Sequence, residues 1–325
     1  MFEPSNFSSE NIKGLEQDDF QYKEVYFNQP DLDSIGVLFF HLKAGLCNPD
    51  TPLNFSKRDV EPHILNDPRI LCIEVGGSGQ VELGNFDHHG ENAPSSSATL
   101  QAYQTLKIND SYLGRLVSYI NELDTLGLVE LTRKRGHVAF PTLSDIIAGI
   151  RLKYNDPIMV MKEGVKVLEE ITKTQQDPYG TIDGFTEYAT IKRKNDEEIE
   201  KIKTEIQWNR TNNGLIFGYL ESELPGSLGI IYEEGKKKFG DDKIIIGIVF
   251  NPQFGSQKVK KYTIGLSLDP DRAKELGINL TAINHKLNLL EDGWGGPPTG
   301  TIIGSPKNGS EITKDELLKI IKEEL

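Results

Sequence analysis

The stretch IEVGGSGQVELGNFDHHG, residues 73–90, places acidic and histidine side chains directly after apolar segments. Arg69 to Val75 is apolar and rich in β-branched residues, and Gly76-Gly77 follows it, which predicts a strand and its end. Gln80 to Phe86 predicts another strand that runs straight into Asp87-His88-His89. Ligands in open α/β sheets bind at the carboxyl ends of strands, so we interpret this tripeptide as a candidate site. Two surface histidines in a polar loop are the alternative.

Helical patterns alternate with strands through the first half of the chain. Lys23 to Asn28 predicts a strand, and Asp33 can cap a helix that runs to about Ala44. Further helical patterns occupy 98–107, 111–126, 143–154 and 157–174. This alternation predicts an α/β domain with a mainly parallel sheet.

The composition changes near Asp177. Residues 187–208 carry mixed charges with isoleucines at helical spacing, as an exposed connecting helix would. Beyond it we predict strands at 214–220, 228–232, 243–250 and 261–268, and helices at 271–276 and 313–324. We therefore expect a catalytic domain over 1–185, a helical linker over 186–210 and a smaller α/β C-terminal domain over 211–325.

Composition narrows the classes of function. The 325 residues have a formal net charge of -13, which argues against a grip on long nucleic acid. No apolar run reaches the roughly 20 residues of a membrane helix, and the first residues do not read as a secretory signal. Cys47 and Cys72 are the only cysteines. We expect a cytoplasmic protein that binds no membrane.

Acidic residues follow the other predicted strands as well. Asp31 and Asp33 stand at i and i+2 after the first strand, where their carboxylates can converge on Mg²⁺ or Mn²⁺. The alternative is an acidic turn in which Asp33 only caps the helix. Glu74 ends an apolar strand, where a carboxylate is costly to bury unless it is paired or bound to metal. Asp124 lies in a predicted helix and could equally face solvent.

Together these segments resemble the DHH phosphoesterase superfamily. That superfamily includes family II inorganic pyrophosphatases, exopolyphosphatases, the RecJ exonuclease, nanoRNases and cyclic dinucleotide phosphodiesterases. Pro30 to Gly36 resembles its first motif, Glu74 stands at the second, Asp87-His88-His89-Gly90 is the signature, and Asp124 stands at the fourth. Ser95 to Thr99 resembles the small-residue segment that follows the signature.

The resemblance implies a role for each of these residues. The implied metal ligands, for one or two Mn²⁺ or Mg²⁺ ions, are Asp31, Asp33, Glu74, His88 and Asp124. His89 would face the substrate phosphate, and Asp87 would orient a histidine. In the C-terminal part, Gly293 to Gly300 resembles the glycine-rich phosphate-binding loop of the superfamily, so the implied substrate contacts include Gly295, Gly296 and Thr299. Without the resemblance this run would be a cluster of turns.

Positive charge for a substrate is concentrated just after Asp124. Arg133, Arg135 and His137 are the candidates, and solvated surface is the alternative. A cleft between the two domains, with the glycine-rich loop facing the metal site, is the expected place for substrate.

Three departures from the superfamily bear on activity. Phe27 stands where many members have a metal-binding histidine, Glu74 replaces a commoner aspartate, and Pro297 replaces the histidine of the glycine-rich loop. The favoured interpretation is a phosphohydrolase acting on polyphosphate, pyrophosphate or a short oligonucleotide. The alternative is a degenerate, non-catalytic member that binds a nucleotide or metal and regulates another process. A homodimer is compatible with either interpretation.

Overall fold

A computed structural model describes residues 20–57, 60–90, 94–136 and 139–325 of the chain. The chain divides into two compact units, one up to Lys194 and one from Asn195 onward. Within these residues, no helix is long and apolar enough to cross a bilayer.

The first unit alternates strands and helices, as the sequence predicts. Its strands are β1 (Glu24–Phe27), β2 (Leu53–Phe55), β3 (Ile70–Ile73) and β4 (Asn85–Phe86). Its helices are α1 (Leu32–Lys43), α2 (Pro62–Leu65), α3 (Ala98–Thr105), α4 (Ser111–Arg135), α5 (Leu143–Lys153) and α6 (Pro157–Thr174), and α7 (Thr186–Lys203) begins in this unit. The predicted α/β fold class is confirmed.

The four strands form one parallel sheet in the order β2-β1-β3-β4. The chain leaves β1 through α1 to reach β2 on one side, and β3 pairs on the other side of β1. The strand order therefore reverses between β1 and β3. In open parallel sheets the carboxyl edge at such a switch point forms the ligand-binding crevice.

Helix α1 is buried along nearly its whole length, from Leu32 to His41. A helix that is apolar on all sides packs in the interior. Two close approaches hold it there. A Cβ on Gly36 would lie 2.2 Å from Thr99 Oγ1 of α3, and a Cβ on Gly164 of α6 would lie 2.5 Å from Ile35. The glycines thus let α3 and α6 pack directly against α1.

The second unit is built on a five-stranded mixed sheet. Its strands, in spatial order, are β5 (Gln207–Arg210), β6 (Ile216–Glu221), β7 (Ile245–Phe254), β8 (Val259–Leu266) and β9 (Ile302–Gly304). Its helices are α8 (Ser227–Phe239), α9 (Pro270–Glu275), α10 (Thr281–Leu290) and α11 (Lys314–Glu324). Alternate strand residues face opposite cores: Phe217 and Tyr219 join the cluster with Leu287 and Leu317, whereas Ile216 packs in another.

Two predicted elements are wrong, and a third is confirmed over most of its length but ends early. The sequence predicts one strand over 80–86, but these residues form a 3-10 turn over Val81–Leu83 ended by Gly84 at a φ of 79°, and only Asn85–Phe86 pair. The strand predicted at 228–232 lies in α8. The helix predicted over 187–208 ends at Lys203, and β5 begins inside the range assigned to a linker. Short apolar runs do not distinguish strand from helix, and tertiary pairing decides.

The fully buried His41 makes a pH-dependent contribution to stability. Burial lowers its pKa from near 6.5 to about 4, partly opposed by the hydrogen bond between Nδ1 and the Val37 carbonyl. Between pH 6.5 and 4, His41 is therefore protonated in the unfolded chain but neutral in the folded chain. The free energy of unfolding consequently falls as the pH drops through this range. We expect this loss to approach the order of 3 kcal/mol near pH 4. Urea unfolding of His41→Leu across this range should show a shallower pH dependence than the native chain. Exposed His63→Gln is the control, and equal slopes for His41→Leu and the native chain would contradict the prediction.

Candidate metal centre

The candidate side chains meet at the carboxyl edge of the parallel sheet. Asp31 and Asp33 follow β1, Glu74 follows β3, and Asp87-His88-His89 follows β4. Asp124 comes from α4, before the interruption of that helix at Gly127, whose φ is 76° and ψ is 161°. Parallel strands thus bring together residues far apart in sequence.

Glu74 occupies the centre of this group. Its backbone adopts a φ of 52°, a left-handed conformation that costs a non-glycine residue on the order of 1–3 kcal/mol. Its carboxylate is buried, and Oε2 accepts a 2.6 Å hydrogen bond from Ser34 Oγ of α1. Its Oε1 lies 3.3 Å from His88 Nε2. The strained turn after β3 and a hydroxyl from α1 therefore hold one carboxylate against a histidine.

The carboxylate of Asp33 joins α1 to α3. Its two oxygens accept hydrogen bonds from the amides of Ala98 (2.7 Å) and Thr99 (2.8 Å) at the first turn of α3. Thr99 Oγ1 in turn donates to the Asp33 carbonyl at 2.6 Å. Free amides at a helix N-terminus favour a negative charge, so these hydrogen bonds offset part of the cost of burying the Asp33 carboxylate.

Asp87 fixes the loop that carries the two histidines. Its Oδ2 accepts a hydrogen bond from the Gly77 amide at 2.8 Å, and its Oδ1 accepts one from the His89 amide at 2.9 Å. The same Oδ1 lies 3.1 Å from His89 Nδ1. A Cβ on Gly90 would lie 1.9 Å from the Gly77 carbonyl oxygen, so the loops after β3 and β4 touch through glycine. Asp87 thus positions the ring of His89, whose side chain is 62% exposed.

Asp31 lies on the wall of the site. Its Oδ1 caps α1 by accepting a hydrogen bond from the Ser34 amide at 3.0 Å. It lines a cavity of about 400 Å³ together with Asn28, Gln29, Glu74, Gly76, Gly77, Asp87, His89 and Asp124. Asp31 is outside the set of residues whose ligand atoms lie closest together.

That closest set can hold a metal ion. Ligand atoms of Asp33, Glu74, His88 and Asp124 all lie within 4.8 Å of one another, and a second group of Glu74, His88 and His89 shares two of them. His88 Nε2 and Asp124 Oδ2 lie 3.3 Å apart, and both are buried without a hydrogen bond to any described residue. Their contact is an ion-pair distance without hydrogen-bond geometry, so both atoms keep capacity for a further ligand. A cation held by these donors would satisfy both, so the residues present fit a divalent metal.

The electrostatics of the cluster agree with this fit. Burial and the nearby Glu74 raise the pKa of Asp31 to about 8 and that of Asp33 to about 6. Burial also raises the pKa of Asp124. The close contact with the Glu74 carboxylate and the charge of Asp124 raise the pKa of His88 to about 9, although burial opposes this. Crowded negative charges of this kind favour positive charge beside them.

Phe27 supplies no ligand. Its side chain is fully buried and packs on Phe55 of β2 with ring centroids 5.7 Å apart. The position of the superfamily's early histidine is therefore part of the hydrophobic core.

The two arginine candidates are already paired. The guanidinium of Arg135 donates to both oxygens of Glu122, at 2.7 and 2.6 Å, and lies over the Tyr179 ring at 4.2 Å. Arg133 pairs with Glu130 at 2.6 Å. His137 lies outside the described residues. A substrate role for Arg133 or Arg135 requires exchange of an existing partner and stays a prediction.

The glycine-rich loop of the second unit is anchored at one side and open at the other. Gly295 and Gly304 exchange backbone hydrogen bonds of 3.1 and 2.8 Å, and Trp294 is buried. A Cβ on Gly296 would lie 1.9 Å from the Ile302 carbonyl oxygen, whereas one on Gly295 would meet nothing within 4 Å. Gly296 is thus required by packing. The exposed part of the loop includes Gly295 and Thr299, and their role with substrate stays a prediction.

Several supporting residues are not among the predicted site residues, although Ser34 lies in the motif-like segment Pro30 to Gly36. Ser34 donates a hydrogen bond to Glu74, and Gln101 donates to the carbonyls of Asp87 and Ser96; these contacts depend on helix packing. Asn28 and Gln29 reach the cavity only because β1 ends beside β3. The small-residue segment at Ser95 to Thr99 can be recognised in the sequence. In the structure its Thr99 amide donates a hydrogen bond to Asp33.

Comparison with known proteins gives matches among solved structures, whereas no family model and no curated protein matches the chain. A DHH domain from a protein described as a member of a family of ribosomal proteins is 13% identical, over 91% of this chain and 85% of its own, with a TM-score of 0.47. The pGpG-specific phosphodiesterase PggH from Vibrio cholerae is 15% identical, over 92% of this chain and 99% of its own, with a TM-score of 0.47. RecJ from Thermus thermophilus, in complex with Mn²⁺, is 12% identical, over 92% of this chain and 51% of its own, with a TM-score of 0.32.

The cluster predicts how the chain binds metal. Titration calorimetry with Mn²⁺ should show that His88→Ala and Asp124→Asn each weaken affinity by about tenfold or more, because each removes a donor with no replacement nearby. The control is Asp50→Asn, an exposed carboxylate away from the cluster. If the affinity of the two site variants equals that of the control, the cluster is not the metal site.

Proposed function

We propose that this chain is a divalent-metal-dependent phosphohydrolase acting on a small or short-chain phosphate substrate. The observation that carries the proposal is the set of Asp33, Glu74, His88 and Asp124, with two orphaned buried atoms, at the switch point of a parallel sheet. The resemblance of the four motifs to the DHH superfamily supports the same chemistry.

The four clustered residues would hold one or two ions, with Asp31 available on the cavity wall. Three carboxylates and one imidazole form an oxygen-rich set suited to Mn²⁺ or Mg²⁺. When bound, such an ion supplies charge neutralisation at the phosphate and a water of lowered pKa. The protein's own contribution is to fix these donors, through Ser34 for Glu74 and the α3 amides for Asp33.

His89 is the residue that would contact the phosphate. It lines the cavity, its ring is mostly exposed, and Asp87 holds its Nδ1 side. Its Nε2 is thus the ring nitrogen left for substrate. Asp87 acts as a positioning residue, since both of its oxygens are used to orient the loop.

Size and charge favour a small substrate. A cavity of about 400 Å³ lies within the range of roughly 300–1,000 Å³ typical of small-molecule sites. The net charge of -13 opposes the approach of a long polyanion, and Arg133 and Arg135 are both paired with glutamates. Pyrophosphate, short polyphosphate and dinucleotides are the candidate substrates.

One observation favours the second candidate, a metal-binding regulator without turnover. Phe27 occupies the core position where many superfamily members have a metal-binding histidine, so a donor is missing from the end of β1. Such a protein would bind Mn²⁺ and a phosphate ligand but release no product.

The proposal predicts hydrolysis of bis-p-nitrophenyl phosphate that depends on Mn²⁺ and is abolished by EDTA. Glu74→Gln should lower kcat by at least about a hundredfold, since it removes the carboxylate shared by both metal groups. His89→Asn should lower kcat while the ion held by Asp33, Glu74, His88 and Asp124 keeps close to native affinity, because His89 is not in that set. Pyrophosphate, polyphosphate, dinucleotides and cyclic dinucleotides should then be compared as substrates.

Asp50→Asn serves as the control and should keep native kinetics. Metal binding without turnover on any of these substrates would favour the regulatory candidate. Turnover that persists in EDTA, or in Glu74→Gln, would refute the metal-dependent mechanism.

A separate prediction concerns the glycine-rich loop. We propose that the exposed backbone amides of Gly296 and Thr299 bind a non-reacting phosphate of the substrate beside Gly295, whose own amide already donates to the Gly304 carbonyl. Gly295→Leu adds a side chain into open space and should raise KM on an active substrate by about tenfold without changing Mn²⁺ affinity. The control is Gly229→Leu, because a Cβ at Gly229 also meets nothing within 4 Å. An unchanged KM in Gly295→Leu would show that the loop is structural only.

A further inference from the structure

A second cavity in the first unit lies at the opposite end of α1 from Asp33. Its volume is about 800 Å³, twice that of the cavity at the metal cluster. It is lined by the C-terminal half of α1, the loop from Gly45 to Thr51, the start of β2, and one face of α6. None of its lining residues belongs to the candidate metal centre.

The walls of this cavity are largely apolar. The apolar lining residues are Leu38, Phe39, Leu42, Cys47, Leu53 and Val165. The volume lies within the range of roughly 300–1,000 Å³ that small-molecule sites occupy. A ligand with an aliphatic or aromatic body would therefore be desolvated against these walls.

The rim carries an excess of positive charge in an otherwise acidic chain. The charged lining residues are Lys43, Lys162, Lys166, Glu169 and Lys173. Lys43 and Lys162 form no ion pair with any described residue. Lys43 lies in the last turn of α1, where a cation also stabilises the helix end, but Lys162 lies in the first turns of α6 and has no such role.

The other two lysines have partners on their own helix. Lys166 pairs with Glu163 at 2.6 Å, and Lys173 pairs with Glu170 at 3.3 Å. Glu169 is exposed and opposes the binding of an anion at its own side of the rim. Lys43 and Lys162 are thus the cations left to bind an anionic group.

One buried hydroxyl also lies at this cavity without a partner. Thr172 Oγ1 is buried and makes no hydrogen bond to any described residue. Buried side-chain hydroxyls are nearly always hydrogen-bonded. The Thr172 hydroxyl lies about 15 Å along α6 from Lys162, so water in the cavity, and not a carboxylate bound at Lys162, would satisfy it.

We propose that this cavity binds a small amphiphilic anion, a single carboxylate on an aliphatic chain. The apolar walls take the chain, while Lys43 and Lys162 bind the carboxylate. This site is independent of the proposed phosphohydrolase chemistry.

Fluorescence titration with 11-(dansylamino)undecanoic acid tests the proposal on the full chain, in EDTA so that the metal centre plays no part. We expect saturable binding that dodecanoate displaces, with dodecanol and butyrate each competing at least about tenfold more weakly. The double variant Lys43→Gln/Lys162→Gln should weaken binding by about tenfold or more, because charge-assisted contacts are lost. Leu42→Trp, which adds volume at the apolar wall, should abolish it.

The matched control is Lys201→Gln/Lys236→Gln, two exposed helical lysines outside the cavity, and it should bind as the native chain does. Circular dichroism checks that each variant is folded. Three results would each overturn the proposal. These are no saturable binding, binding that survives Leu42→Trp, and binding that the Lys43/Lys162 change leaves unaltered.

Discussion

The structure of the first unit depends on holding several carboxylates close together at one edge of a parallel sheet. Asp33, Glu74 and Asp124 surround His88, and Asp31 lies on the adjacent wall. Like charges in a buried position are costly, and the raised pKa values of Asp31 and Asp33 express that cost. The chain offsets part of it with neutral donors, namely a hydroxyl and the amides of α3. The remainder calls for positive charge, from protons or from a cation.

The same elements that form the hydrophobic core also position these carboxylates. Helix α1 is buried from Leu32 to His41, and its first turn carries Asp33 and Ser34. Because Gly36 and Gly164 let α3 and α6 pack directly on α1, the first turn has little freedom to move. The left-handed backbone of Glu74 adds a strained position that only a well-packed surrounding maintains. Rigidity of this kind is what a binding constellation needs from its scaffold.

The sequence predicts most of the first unit because two independent signals agree there. Strand and helix periodicities alternate, and each predicted strand ends in a polar residue at a turn, so parallel pairing alone brings Asp31, Glu74 and Asp87 to one edge. The rotation of α4 about its axis places Asp124 beside His88. This rotation depends on packing against other elements, which the local sequence pattern does not show. The pairing of Arg135 with Glu122 depends on the chain folding back after Gly127. The start of helix α8 resembles a strand in sequence because its apolar run is too short to show a helical period.

The donors of the cluster are distributed unevenly, and this bears on how many ions it can hold. At the end of β1, Phe27 belongs to the core, and both oxygens of Asp33 already accept amide hydrogen bonds. At the ends of β3 and β4, Glu74 and His88 belong to both possible metal groups. His88 Nε2 makes no hydrogen bond to any described residue. Each carboxylate oxygen retains a further lone pair, so Asp33 can still act as a ligand. The capacity to ligate a metal ion is nevertheless concentrated on Glu74, His88 and Asp124. A first ion would therefore be held chiefly by these three, and any further ion would depend on the remaining carboxylate oxygens, because the single lone pair of His88 Nε2 serves one ion only.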